Sequence, residues 1–507
     1  MSFLKLLQRL PRCHFFISDL ATSHATLRAF SSSSVHRLNV AIIGAGPAGF
    51  YTASKILDKD PDARIDIFEK LPCPYGLVRF GVAPDHPEVK ICTNKFDELG
   101  QDPRVRFFGN VNVGEHGKIS VTTLSKLYGA VAISYGTSSC RNLNIPGEFG
   151  SQNEQTSVQV GGIHSGREFV HFYNSYPQHR TIFSQNFLSS GVTGRALVFD
   201  INPAALDMLS ASKISHVDII GRRGPLEAAF TTKELRELLS LPNLVFKFDY
   251  KQFNDCLDNE RAVSTLSKSR PLQRKIDLIK KFESNQQSKS PSEHTISALT
   301  NSTFKPKKSW SLRFLESPIA VINHKESIDV TMEPSKSVIM AKNRLIYSSD
   351  SKISIENTGE QFTLDCDVAF KSIGYISTPI QGVPFDYQKM IIPNISGRVV
   401  DSATNDIING LYVSGWIKTG ATGVLANTMQ SAFETANAII ADKPDISKNV
   451  PLSAINDTLH KHNILQTSVS YEQWLTLKEL ERANGEILKK PSLKIDSVSE
   501  MLKVVKR

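Results

Sequence analysis

The chain is poor in anything that would staple or anchor it. Six cysteines at 13, 73, 92, 140, 256 and 366 form no C-x-x-C and no pair at metal-ligand spacing. That argues against a disulfide scaffold, a zinc site or any other protein-held metal, and a bound iron–sulfur cluster, and it fits a reducing compartment. No apolar run approaches the ~20 residues needed to span a bilayer, so no transmembrane segment is expected. There is no solenoid repeat and no DNA- or RNA-binding motif, so nucleic acid is not an expected partner. What is present is 507 residues of ordinary globular composition, 40% hydrophobic and 21% charged, long enough for two or three domains with sizeable cores.

Acids are scarce at the N-terminus. Residues 1–34 carry Lys5, Arg9, Arg12 and Arg28 against Asp19 alone, with many serines and leucines that share one helical face. An Arg- and Ser-rich, acid-poor, amphipathic start reads as a mitochondrial transit peptide, assigned to residues 1–36. It holds +3 of the formal net charge of +9. The modest positive balance that remains suits an acidic partner better than nucleic acid.

"LNVAIIGAGPAGFYTASKILDKDPDARIDIFEK" (Leu38 to Lys70) carries the first chemistry. An apolar strand, Val40 to Ile43, enters Gly44-Ala-Gly46-Pro-Ala-Gly49. A helical pattern follows, then a second strand, Ile65 to Phe68, which ends in Glu69. Strand, glycines, helix, strand and acid together make a dinucleotide fingerprint. Gly44 serves the tight turn, Gly46 the approach of backbone N–H groups to a pyrophosphate, and Gly49 the close helix packing. Glu69 is placed for the ribose hydroxyls and repels a 2′-phosphate, which points to FAD or NAD.

"GAGPAGFYTA" and the long block "EKLPCPYGLVRFGVAPDHPEVK" (Glu69 to Lys90) closely resemble the mitochondrial adrenodoxin reductase (NADPH:ferredoxin reductase) family. The resemblance continues through "AVAISYGT", "LNIPGE", "IGRRGPLEAAFTTKELREL", "SIGY", "GRVV" and "GLYVSGWIKTGATGV", and more thinly to "SVSYEQWLTL". It implies FAD in the first site, with Ala48, Glu69, Leu77, Val113, Trp416 and the Gly423-Val424-Leu425 turn as flavin contacts. Gly423 also serves NADP by the same resemblance. A helix N-terminus after Gly423 would stabilise negative charge on a reduced flavin. The family often reads Arg-Gly-Pro-Thr-Gly where this chain has Thr419-Gly-Ala-Thr-Gly423.

A second site is expected after "HVDIIGRRG". Arg222 and Arg223 follow a strand, Val217 to Ile220, where forked guanidinium donors suit a 2′-phosphate and select NADP. The resemblance adds Glu234 as an NADP contact, although Thr231-x-x-Glu234 also reads as a capping box. Upstream, a strand at Ala196 to Phe199 runs into Asp200-Ile201-Asn202-Pro203-Ala204, where the family has a glycine-rich loop. Both glycines are replaced, and Asp200 sets a carboxylate near the expected phosphates. Glycine restored at 200 and 202 is expected to tighten NADPH binding.

The fold class is α/β, with two dinucleotide-binding, Rossmann-like domains and the NADP domain inserted into the FAD domain. The expected boundaries are 37–143 and 362–507 for FAD and 144–361 for NADP, with a flexible, Ser/Lys-rich region from about 261 to 311. The resemblance implies electron flow from NADPH through FAD to an acidic, adrenodoxin-type [2Fe–2S] ferredoxin in the mitochondrial matrix. Peripheral contact with the inner membrane stays open. His86 and Asp207 are implied near the electron- or proton-transfer path, and Lys233 and Arg236 share a helix side suited to an acidic partner. The alternative is an FAD-binding family member with impaired or lost NADPH binding, degenerate or kept as a partner-binding protein.

Overall fold

The computed structural model describes residues 37–114, 116–149, 151–152, 159–160, 162–177, 201–210, 212, 214–241, 244–287, 308–323, 336–347, 353–442 and 450–506. The expected transit peptide, the Ala196–Phe199 strand and Asp200 lie outside them.

The first strands alternate with helices. β1 (Asn39–Ile43) runs into α1 (Pro47–Lys59), then β2 (Arg64–Phe68), β3 (Val105–Phe108) and β4 (Ala130–Ile133). β1 lies between β2 and β4, parallel to both, with Val40 opposite Ile65 and Ala130. Val40 and Ile42 point into one apolar cluster with Phe50, Ile56 and Phe107. Ala41 and Ile43 point into another with Leu124, Val131 and Ile417. Burial on both faces is why β1 reads as a continuous apolar run and not an alternation.

The middle of the chain forms a smaller parallel sheet. Helix α2 (Pro203–Ser210) precedes β5 (His216–Ile220), α3 (Thr232–Leu239) and β6 (Leu244–Phe248). Helices α4 (Glu260–Lys268) and α5 (Arg270–Gln287) follow, and β7 (Lys308–Arg313) inserts between β6 and β5. Within the expected flexible region of about 261 to 311, residues 261–287 and 308–311 are instead ordered as these helices and this strand. Ala262, Ile276 and Ile279 are buried, the two isoleucines packing with Phe246, Phe253 and Trp310. Apolar residues at helical spacing were hidden there among lysines and serines; residues 288–307 lie outside the description.

The chain then returns. Ser139–Cys140 pairs antiparallel with Tyr375–Ile376, so the outgoing and incoming crossings form one short ladder. A buried Glu148–Lys371 ion pair joins the same two crossings, and the Glu148 carboxylate also accepts from the Leu143 and Asn144 amides. β8 (Ile407–Val413) docks parallel on β4, completing a seven-stranded sheet from both ends of the chain. α6 (Leu425–Asp442) packs along α1, and α7 (Tyr471–Ile487) buries Trp474 against Tyr75. No described helix is long and apolar enough to cross a membrane.

Candidate active site

The three glycines after β1 play different parts. Gly44 sits at φ +105°, and a Cβ there would stand 2.6 Å from the Tyr135 backbone. A Cβ on Gly49 would lie 2.2 Å from the Gly44 carbonyl oxygen. Gly46, between them, has nothing within 4 Å of its missing Cβ. It starts α1 without a side-chain cap, leaving a backbone-lined hollow at a helix N-terminus, which suits an anion. The Glu69 carboxylate closes the turn, accepting from Ala45 N at 2.9 Å and Leu71 N at 3.1 Å. Burial pushes this carboxyl up, against the pull of both amides.

The return strand brings distant residues to the same hollow. β8 leads into Ser414, whose hydroxyl accepts from Thr52 of α1 at 3.0 Å. Gly415, at φ +73°, packs on Ala48 so tightly that a Cβ would stand 2.5 Å from the Ala48 methyl. Gly76 meets the Gly46 Cα, its own missing Cβ 3.3 Å away, and so sets half-buried Leu77 beside the turn. Trp416 stacks on Tyr375 at 6.0 Å, and its buried indole Nε1 has no partner among the described residues. Trp416, Thr422, Gly423, Asn427 and Ser431 line a cleft of about 290 Å³. Asn427 accepts from Val424 N at 2.9 Å and holds the Gly423-Val424-Leu425 turn at the start of α6. Val113, half-buried, bridges to Ile119. The open cradle at Gly46 and the orphaned indole donor both fit a bound dinucleotide with a flavin end.

No family model matches the chain. It is 35% identical to a mitochondrial NADPH:adrenodoxin oxidoreductase of Salvelinus fontinalis over 92% of this chain and 91% of that protein. Namesakes from Homo sapiens, at 35% over 92% and 91%, and Arabidopsis thaliana, at 33% over 94% and 97%, are also similar. Mycobacterium tuberculosis FprA in complex with NADPH superposes with a TM-score of 0.74 at 30% identity, covering 93% of this chain and 100% of that one. The chain belongs to the NADPH:adrenodoxin oxidoreductase family. It is an oxidoreductase with the mixed α/β architecture expected above.

The second nucleotide locus expected in this adrenodoxin oxidoreductase family member is occupied by internal hydrogen bonds. Its arginine turn is pinned by backbone. Arg222 O accepts from Asn343 Nδ2 at 3.1 Å, and Arg223 O accepts from Leu315 N at 3.1 Å. Both guanidinium groups are exposed, with no ion pair among the described residues. Glu234 forms the capping box in full, accepting from Thr231 N at 2.6 Å. From Asn202 to Leu206 the amides are spent. Asn202 N donates to Tyr173 O at 3.0 Å and Leu206 N to Asn202 O at 2.9 Å. Ala204 N and Ala205 N donate to Asn202 Oδ1 at 2.9 and 3.4 Å. Pro203 has no N–H to offer.

His86 and Asp207 are treated differently by the fold. His86 Nδ1 lies 3.0 Å from Glu88 and Nε2 lies 3.7 Å from Glu237 of α3. Lys233 closes the ring onto both acids, and it is therefore less available to a partner than the exposed Arg236. The Glu88 backbone amide, His86 and Lys233 hold the Glu88 carboxyl well below the usual range. Asp207 is exposed on α2, with no ion pair among the described residues. Sequence reasoning passed over Glu237, whose one signal was its i+4 spacing from Lys233.

Proposed function

We propose that the chain is an FAD enzyme that accepts a hydride from NADPH and delivers the electrons singly to an acidic, adrenodoxin-type [2Fe–2S] ferredoxin in the mitochondrial matrix. The observation that carries this reading is the open Gly46 position, set between two glycines that admit no side chain and beside the clamped Glu69. The names of the relatives add NADPH, adrenodoxin and the mitochondrion. Residues 37–143 with 362–507 serve FAD, 144–361 serve NADPH, and 1–36 direct import.

FAD, when bound, supplies the conversion of a two-electron hydride into one-electron delivery. The chain's residues bind and orient. The Gly44–Gly49 turn and the α1 N-terminus take the pyrophosphate, and Glu69 takes the ribose hydroxyls. Leu77, Val113, Trp416 and the Gly423–Leu425 turn hold the flavin end. Arg222 and Arg223 select the 2′-phosphate. His86, between Glu88 and Glu237, and Asp207 are assigned to the vicinity of the electron- or proton-transfer path.

Anaerobic stopped-flow mixing of the FAD-loaded chain with NADPH or NADH tests this. Rapid flavin bleaching by NADPH alone, followed by reduction of a [2Fe–2S] ferredoxin, is the expected result. A flavin bleached only by dithionite would instead support the second reading, a member with impaired NADPH binding, which the spent amides at Asn202 favour. Fusing residues 1–36 to a reporter tests import.

A further inference from the structure

Tyr75 holds an uncommon backbone beside the first nucleotide turn. It sits at φ +82°, followed by Gly76 at φ +50°. For a residue with a side chain, that region costs about what one hydrogen bond to a charged group returns. Tyr75 is buried, and its hydroxyl supplies such a bond by donating to the Asp97 carboxylate. The same hydroxyl lies 2.7 Å from the Tyr471 hydroxyl and accepts from Trp474 Nε1 at 3.2 Å. Asp97 also accepts from Tyr471 at 2.8 Å and from Lys478. Tyr471, Trp474 and Lys478 all come from α7. Four residues on, buried Arg79 pairs with Glu481 of α7 at 2.6 Å and lies over the Trp474 ring. The segment is therefore fastened to α7 at two points.

The backbone of Tyr75 faces the other way, into the turn. Tyr75 N donates to Ala45 O at 2.8 Å, while Ala45 N donates to the Glu69 carboxylate at 2.9 Å. Ala45, between Gly44 and Gly46, is gripped by both of its backbone polar groups. Gly76 then meets the Gly46 Cα, 3.3 Å from the place of its own missing Cβ. Leu77, assigned above to the flavin end, follows directly. The Tyr75 φ angle sets the N–H that holds Ala45 relative to the Gly76 that meets Gly46. At negative φ only one of those two contacts is kept.

We propose that Tyr75 is a positioning residue of the FAD site, its hydroxyl anchored to Asp97 and α7 so that its backbone shapes the pyrophosphate turn. This rests on the FAD reading above. The anchor spans 396 residues of chain between Tyr75 and Tyr471, so α7 serves the flavin site from the far end of the sequence.

Two variants test it. Tyr75→Phe keeps the ring and removes the anchor. Tyr471→Phe removes the other phenol from the same carboxylate and leaves the bond between Tyr75 and Asp97 in place. Each protein is stripped of FAD and titrated back by calorimetry, and the visible circular dichroism of the bound flavin is recorded. Tyr75→Phe is expected to raise the Kd for FAD about tenfold, the scale of one hydrogen bond to a charged group, and to change the flavin dichroism. Tyr471→Phe is expected to keep the Kd within about twofold of wild type, with the dichroism unchanged. Wild-type FAD affinity in Tyr75→Phe overturns the proposal. So does equal weakening in both variants, which marks a general loosening of the α7 contact. A wild-type chain that takes up no FAD overturns the flavin reading itself.

Discussion

Gly49 and Gly44 touch backbone to backbone: a side-chain carbon on Gly49 would stand 2.2 Å from the Gly44 carbonyl oxygen. Gly46, two residues from Gly44, has nothing within 4 Å of the corresponding place. Neighbouring glycines of one motif therefore meet different surroundings, one closely packed and one open.

Substitution separates them. Gly49→Ala is expected to destabilise the protein by about 1–3 kcal/mol through overpacking, seen as a lower thermal midpoint even without flavin. Gly46→Ala is expected to shift the flavin-free midpoint by less than about 1 kcal/mol, the cost of a poorer helix cap. Its flavin-to-protein absorbance ratio should nevertheless fall. Full flavin occupancy in Gly46→Ala would place the pyrophosphate elsewhere.

The exposed arginine pair predicts nucleotide preference. With its backbone pinned by Asn343 and Leu315, replacing either guanidinium should leave the turn in place. Arg222→Ala or Arg223→Ala should raise the Kd for NADP+ by roughly tenfold, as expected for a lost charged hydrogen bond. NAD+ binding should not change. Parallel titrations check this, and equal losses for both nucleotides would remove the 2′-phosphate from this locus.

Asn202 sets a trade between stability and binding. Its Oδ1 caps α2 through Ala204 and Ala205, so Asn202→Gly frees those amides for phosphate. The expected cost is about 1 kcal/mol, counting the lost bond to Ser175 at 3.1 Å. The expected gain is tighter NADP+ binding. Asn202→Ala should lose the cap without the gain, because its Cβ still obstructs backbone approach. Identical NADP+ affinity in wild type and Asn202→Gly would show that this turn is not the phosphate turn.

His164 predicts an acid-labile region beside the chain crossings, on a strand paired with Phe370–Lys371. Burial, helped by the Lys336 charge, pushes its pKa down to about 4, against about 6.5 unfolded. A depressed pKa favours the neutral form, so this stabilisation is present above pH 6.5 and is lost as pH falls toward 4. The loss amounts to at most about 3 kcal/mol. A thermal midpoint followed from pH 7.5 to 4.5 should fall less steeply in His164→Gln than in wild type. Parallel slopes would exclude His164 as the source.

The first nucleotide turn was legible because its demands are local: strand, glycines, helix and acid lie within one βαβ unit, and backbone dihedrals enforce their spacing. Glu234 as a helix cap was legible for the same reason. The helices over Glu260–Lys268 and Arg270–Gln287 were not, since one buried stripe in a polar helix is easily lost among lysines and serines.

By itself the sequence determined the family, the α/β class, and the three glycines with Glu69, all properties of contiguous chain. Tertiary structure alone decided that Glu237 meets His86, that the amides after Ile201 are spent, and that Tyr75 meets Tyr471 across a separation of 396 residues. The reason is physical. Local pattern follows from dihedral preference and periodicity, whereas a contact between distant residues exists only after the sheet, helices and C-terminal arm have packed and their hydrogen bonds have been assigned.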